Sequence, residues 1–522
     1  MGTEVKSTTR MTGAEAVIKT AVAAGIDICF ANPGTTELSL VQALDHCPEM
    51  RSVLAVFEGV CTGAADGYAR ISGRPALALL HLGPGLANGL ANLHNARKAR
   101  APVISIVGEH ATWHIAANAP LTSDIATLAT PMSHWVHTTA DAKAASADMA
   151  EAITQATRLP GGPATLILPG DMQWTEVTTP TVVPQLPAPA SPSVDDTERA
   201  ACALRSGTAA LVLGGRALRA PGLRAADRIA RATGCRVLAP TFPPVQDRGI
   251  GLISPDKIPY PPEPARQLLA PYKTVVLAGA GEPVAFFGYP NSRSGLCAED
   301  AEIVQLCEPT VDPAAALLTL AEALDAPPER EVPAAERPQT PRGALTPLSM
   351  CQAVAAAQPE NLIVMDEGAT AGFAYYGFSA GAPPFTYMTL TGGSIGQGLP
   401  CAVGAAAAEP HKRVICLEGD GSSLYTIQSL WTMAREKQNV TTVICKNRAY
   451  SILRWELERA KATPGPASLA LTGLDKPEFD FVKLAEGFGV EARAARTAEE
   501  LNDALRHSLK TPGPMLIEAN LE

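Results

Sequence analysis

The chain has no excess of basic residues: 42 Lys and Arg stand against 52 Asp and Glu, a formal net charge of -10 at pH 7, and no basic run occurs. A surface of that sign repels phosphate backbones and anionic lipid, which argues against nucleic acid or a membrane as partner. The 11 cysteines include no Cys-x-x-Cys pair, so zinc is not expected. Cys29, Cys416 and Cys445 lie inside apolar runs and read as small, reduced core residues. The opening Met1-Gly-Thr-Glu-Val-Lys-Ser has no apolar signal core, and Lys6 stands where a myristoylation signal needs Ser or Thr. A cytoplasmic protein is therefore expected.

The residues that are present, 46% hydrophobic and 18% charged, have the balance of a globular chain. At 522 residues it exceeds what one core accommodates, and three domains are expected. Two stretches dense in Pro, Ala and charge, 180–195 and 325–345, read as linkers, because Pro ends helices and interior strands. They leave domains at 10–180, 196–325 and 345–522. In each, short apolar runs such as Ala76 to Leu80, Ala210 to Leu213 and Val414 to Leu417 alternate with stretches of helical period. That pattern predicts an α/β protein with three doubly wound parallel sheets.

Chemistry concentrates after strand ends. Val414 to Glu418 runs into Gly419-Asp420-Gly421, followed by Leu424, Ile427, Trp431 and Ala434 at helical spacing; Val440 to Cys445 then leads to Lys446-Asn447. Strand, tight turn, helix and parallel strand place Asp420 and Asn447 at one carboxyl edge, where α/β sheets bind ligands. A carboxylate and an amide are hard oxygen donors, suited to holding Mg²⁺ against a diphosphate, and the amino end of a helix opening at Ser422 is expected to add backbone N–H groups and a favourable dipole for phosphate. Glu58 stands where a strand gives way to a helix of small residues, and as a first-turn acid it suits the helix dipole. Val56, Phe57 and Val60 are expected to strip water from it. His81, in His81-Leu-Gly-Pro-Gly85, and His110 and His114, in Gly-Glu-His-Ala-Thr-Trp-His, follow further strand ends.

Gly-Asp-Gly followed after residues 422–446 by Asn447 resembles the motif by which thiamine diphosphate enzymes bind Mg²⁺ and the cofactor's diphosphate. The likeness covers essentially the whole chain, in the order pyrimidine-binding, middle and diphosphate-binding domain. It is most similar to the benzoylformate decarboxylases, with features of the acetolactate synthase branch. The resemblance implies Asp420, Asn447 and the carbonyl of Ala449 as metal ligands, and Glu58 as the acid that contacts the aminopyrimidine ring. Thr35, Thr370, Gly419, Gly421, Ser422 and Tyr450 fall on cofactor-contact positions. In Thr391-Gly-Gly-Ser-Ile-Gly396, Gly393 offers its carbonyl to the ring amino group and Ile395 wedges the cofactor into a bent shape. His81 falls on an active-site His, with His110 and His114 as further candidates. A second such His is replaced by Gly288.

The implied function is non-oxidative decarboxylation of a 2-oxo acid to an aldehyde, with acetolactate synthase-like carboligation or a catalytically silent homologue as alternatives. Thiamine diphosphate and Mg²⁺ are the implied cofactors. FAD is the alternative that accompanies a synthase and is not expected, since Val276-Leu-Ala-Gly-Ala-Gly lacks the third glycine of a dinucleotide turn. A homodimer or homotetramer with sites between subunits is implied. Pro33, Gly34, Ile452 and Glu456 fall on the substrate pocket, where Ile452 adds bulk and Glu456 polarity. A smaller or polar 2-oxo acid is therefore expected over benzoylformate.

Overall fold

The computed structural model describes residues 4–5, 9–179, 181–184, 186 and 188–522. Part of the leading segment and Pro180, Gln185 and Pro187 of the first linker lie outside the described residues. The rest of that linker is not uniformly irregular. Val182–Val183 pairs with Glu4–Val5, and a helix Val194–Arg205 begins before the linker ends, capped by the Ser193 hydroxyl.

Three sheets carry the chain. The first has six parallel strands in the order Arg51–Leu54, Ile28–Asn32, Ala76–Leu80, Val103–Glu109, Ala164–Pro169, Trp135–Thr138. The middle sheet has five, Asp256–Lys257, Arg236–Ala239, Ala209–Leu213, Thr274–Ala278 and Glu302–Gln305. The third has seven, Gln246–Arg248, Phe385–Thr389, Ile363–Glu367, Val414–Gly419, Val440–Lys446, Met515–Asn520 and Glu491–Ala495. Its central strands are buried along their length, as near-continuous apolar runs covered on both faces must be. Its first strand departs from the expected purely parallel arrangement. Gln246–Arg248 comes from the middle segment and pairs antiparallel with Phe385–Thr389. The strand covers an otherwise open sheet edge. It is anchored by Arg248, whose guanidinium lies 3.3 Å from the centre of the Tyr376 ring.

The first and third sheets meet through two helices, Glu58–Ser72 and Gly398–Ala408, both dominated by Gly and Ala. Their backbones touch. A Cβ on Gly67 would lie 2.2 Å from the Cys401 carbonyl oxygen, and one on Gly404 would lie 1.9 Å from that of Ala64. Inside this contact Arg70 pairs with Asp66 at 2.6 Å, with both side chains almost fully enclosed. The same guanidinium donates to the carbonyls of Thr389 at 2.9 Å and Pro244 at 3.1 Å. One side chain thus ties all three segments. Among the described residues no helix is long and apolar enough to cross a membrane.

Arg70→Ala would leave the enclosed Asp66 carboxylate without its counter-charge, a loss of about 3–5 kcal/mol for a buried pair. Urea denaturation should show a loss of that size, whereas Arg74→Ala, at an exposed pair with Asp27, should cost about 1 kcal/mol or less.

Candidate active site

Strand register brings the two central residues together. Gly419 pairs with Cys445 across adjacent parallel strands, so Asp420 and Asn447 emerge side by side at one carboxyl edge. The helix expected after Asp420 is broken, running Asp420–Ser423 and resuming at Ser429–Arg435. Within the gap the Thr426 hydroxyl donates to the Gly396 carbonyl at 3.0 Å, and that tertiary bond overrides the helical period of Leu424 to Ala434. A four-residue helix carries little dipole, so the attraction for phosphate rests on individual N–H groups.

Asp420 is buried. Its Oδ1 accepts the Gly421 N–H at 2.9 Å and its Oδ2 the Arg448 N–H at 2.6 Å. Burial pushes its carboxyl above the usual range, while these N–H groups pull it back. The Asn447 Oδ1 accepts the Ala449 N–H at 3.0 Å. The ring of Tyr450 lies on Gly421, where a Cβ would meet it at 2.4 Å. The Ser422 hydroxyl is engaged by the Glu418 carboxyl and the Gly419 carbonyl, which leaves its backbone N–H. Among the described residues no group of three or more His, Cys, Asp or Glu gathers as a metal cluster. One carboxylate, one amide oxygen and the Ala449 carbonyl nevertheless form a hard-oxygen set too small to enclose a cation, which fits Mg²⁺ completed by phosphate oxygens and water.

Beneath this edge lie two further buried carboxyls. Glu367 accepts N–H bonds from Gly396, at 2.7 Å, and Gly398. Burial raises the pKa of both Glu367 and Glu418, and their mutual repulsion raises that of Glu418 further. Glu367 thereby holds the loop carrying Gly393 and Ile395, both half-buried. Thr370 is half-buried on a short helix just past Glu367.

Glu58 opens its helix and is buried, with Oε2 accepting the Asn88 Nδ2–H at 3.0 Å. Val60 is enclosed beside it, but Val56 is 46% exposed. The expected cover by Val56 is corrected, because the strand ends at Leu54 and Val56 turns outward. Helix Leu82–Ala99 stitches Glu58 to the Gly393 loop. Asn92 donates to the carbonyls of Gly59, at 2.9 Å, and Gly396, at 3.3 Å, and Asn95 donates to that of Ser394 at 2.7 Å.

His81 sits at its helix start with Nδ1 2.7 Å from Oε2 of the wholly buried Glu37. Glu37 also accepts the Gly34 N–H and the Thr36 hydroxyl. A Cβ on Gly34 would fall 2.2 Å from His81 Nδ1, so only glycine lets the ring lie there. Pro33 is half-buried beside it and Thr35 is exposed. His110 and His114 form a separate edge-to-face pair, centroids 5.3 Å apart, beyond the next strand. Glu456, on helix Ser451–Arg459 with Ile452, accepts the Tyr289 hydroxyl at 3.1 Å and Arg459 Nε–H at 3.0 Å. Its charge is matched by Arg459, one turn along the same helix.

Sequence reading did not single out Glu37, nor Asn88, Asn92 and Asn95. The asparagines recur at spacings of four and three, a polar stripe on a mostly buried helix, and that signal was available. Pairing of Glu37 with His81, 44 positions apart, left no local trace. A cavity of about 1220 Å³ lies at the carboxyl edge of the middle sheet between Gly214 and Gly279, and extends to Phe286 and Thr391.

Residues 366–519 match the family described as thiamine pyrophosphate enzyme, C-terminal TPP binding domain, and residues 11–145 the corresponding N-terminal TPP binding domain. A Mycobacterium tuberculosis protein named "Putative acetolactate synthase large subunit IlvX" is 50% identical over 97% of this chain and 98% of its own length. The benzoylformate decarboxylase of Pseudomonas aeruginosa is 31% identical over 95% of this chain and 96% of its own. Among solved structures, the thiamine diphosphate-dependent 4-hydroxybenzoylformate decarboxylase of Rhodococcus jostii RHA1 superposes with a TM-score of 0.85 at 25% identity, covering 98% of this chain and 99% of that one. With matches of this reach at both ends of the molecule, the chain belongs to the thiamine diphosphate-dependent enzyme family.

Proposed function

We propose that the chain catalyses the non-oxidative decarboxylation of a 2-oxo acid, with release of an aldehyde or transfer to a second carbonyl, at a site built on Asp420, Asn447 and Glu58. The adjacency of Asp420 and Asn447 at neighbouring strand ends carries this reading. Asp420, Asn447 and the Ala449 carbonyl would hold Mg²⁺, with the Gly421 and Ser422 backbone facing the diphosphate. Bound thiamine diphosphate supplies the electron sink for the pair released as carbon dioxide departs.

The protein's own part is placement and proton handling. Glu58, oriented by Asn88, would share a proton with the pyrimidine ring. The Gly393 carbonyl would accept from its amino group, and Ile395 would set the angle between the rings. The Glu37 carboxylate keeps a hydrogen on His81 Nδ1, leaving Nε2 to give or take a proton near the reacting carbon.

We also propose that the active unit is at least a dimer, with Glu58 of one subunit facing Asp420 of the other. In support, Leu38 (56% exposed) and Trp113 (73%), with Val56 and Ile115, leave large apolar surface bare beyond the strand ends of the first sheet. A second copy would cover such surface.

Asp420→Ala and Asn447→Ala should each weaken thiamine diphosphate binding in the presence of Mg²⁺. Calorimetry showing parental affinity for the Asp420 variant would remove the site. Glu58→Gln should retain the cofactor yet slow exchange of its C2 proton by about 10²- to 10⁴-fold, measured by NMR in deuterium oxide; an unchanged rate excludes Glu58 from proton handling. Mixing the inactive Glu58→Gln and Asp420→Ala chains should restore activity at one of the two sites of each mixed dimer. Full activity in a sedimenting monomer would exclude the shared site.

A further inference from the structure

Phe286, from the middle segment, lies directly on the loop that carries Gly393. A Cβ on Gly393 would come 2.6 Å from the ring's Cζ. Ring contacts continue outward from there. Phe286 is 5.4 Å from Tyr260 and 4.9 Å from Phe287, and Tyr260 is 6.3 Å from Phe373 and 6.0 Å from Trp455. The cluster therefore joins three places: the middle segment, the turn after strand Ile363–Glu367, and the helix that follows Asn447. Trp455 and Ile452 share one face of that helix, being three residues apart.

The wall is apolar and open. Phe286, Phe287 and Phe373 are 40%, 53% and 41% exposed, although each touches other rings. The charged groups that border it are matched to each other. Arg459 pairs with Glu456 and Glu263 and lies 3.6 Å from the Tyr289 ring centre. Beside Phe287 there is room, since a Cβ on Gly288 meets nothing within 4 Å.

We propose that Phe286 and Phe287, with Tyr260, Phe373 and Trp455, receive the side chain of the 2-oxo acid, and that the enzyme selects a large apolar side chain over a methyl group or one bearing a second carboxylate. The proposal rests on the reading of the site as one acting on 2-oxo acids. Apolar area removed from water drives the preference, and Arg459, already paired with Glu456 and Glu263, is not free to hold a distal carboxylate. The wall thus reverses the preference for a small or polar acid drawn from Ile452 and Glu456 alone.

The test compares kcat/KM for phenylpyruvate, 4-methyl-2-oxopentanoate, pyruvate and 2-oxoglutarate in the parent and in Phe286→Ala, Phe286→Leu and Phe287→Ala. The two apolar acids should exceed the other two by about 10- to 200-fold. The Ala variants should lower that ratio about tenfold or more at unchanged thiamine diphosphate affinity, with Leu restoring most of it. Calorimetry with the non-reacting phenyllactate and lactate supplies a readout independent of turnover, and phenyllactate should bind more tightly to the parent but not to the Ala variants. Preference for pyruvate or 2-oxoglutarate would overturn the proposal. So would an equal loss for every acid together with weakened cofactor binding, which would make Phe286 a packing residue of the Gly393 loop. Carbon dioxide release from none of the acids would count against the reaction itself; the wall would then be judged by the hydroxy acids, and equal binding of the two would overturn it.

Discussion

The contact on which the site depends is backbone against backbone, between the helix that begins with Glu58 and the helix Gly398–Ala408. At Gly67 and Gly404 no side chain intervenes, so the two helices approach as closely as helices can. Dispersion between packed backbones is individually small and collectively large. Its larger consequence here is positional. The second helix starts where the Gly393 loop ends, so fixing the helices fixes Glu58 relative to the loop of its own chain and, in the proposed dimer, sets the two shared sites at a fixed spacing. Asn92 spans the remaining gap, from Gly59 to Gly396. An alanine at Gly404 would drive a methyl carbon into the Ala64 carbonyl, and the helices would separate.

Arg70 adds a polar lock to the same contact. A buried ion pair is weak evidence for stability, because desolvation offsets attraction. Its value lies in specificity: the guanidinium has acceptors on three segments at once, Asp66, Thr389 and Pro244, and no other docking of the segments satisfies all of its donors. The small-residue stripe supplies closeness and Arg70 supplies register.

This division explains what could be read in advance. Strand ends were legible because a buried parallel strand is a continuous apolar run, and Asp420 and Asn447 stand just past the ends of two such runs. The small residues of both helices were visible too, but a stripe names a face and not its partner. Pairings between residues distant in sequence left no local mark, so Glu37, which bonds His81 from 44 positions away, was not singled out. The period of Leu424 to Ala434 misled for a related reason: helical spacing states what a segment can do, and the bond from Thr426 to Gly396 decided otherwise.

Chemistry and selectivity therefore sit on separately anchored parts. The proposed metal ligands are held by strand register and by N–H groups of the same turns. Glu58 is held by the helix contact. The aromatic wall is held largely by the middle segment, whose link to the third sheet runs through Gln246–Arg248 and the stacking of Arg248 on Tyr376. Phe286 lies against the loop at Gly393, a glycine at φ +77°. Glu367, which accepts N–H bonds from Gly396 and Gly398, and Asn95, which donates to the Ser394 carbonyl, hold the loop independently of that ring. Substitutions in the wall can then alter which acid enters while the placement of Glu58, Asp420 and Asn447 is conserved, and this arrangement allows one scaffold to carry a single bond-breaking step across acids of different side chain.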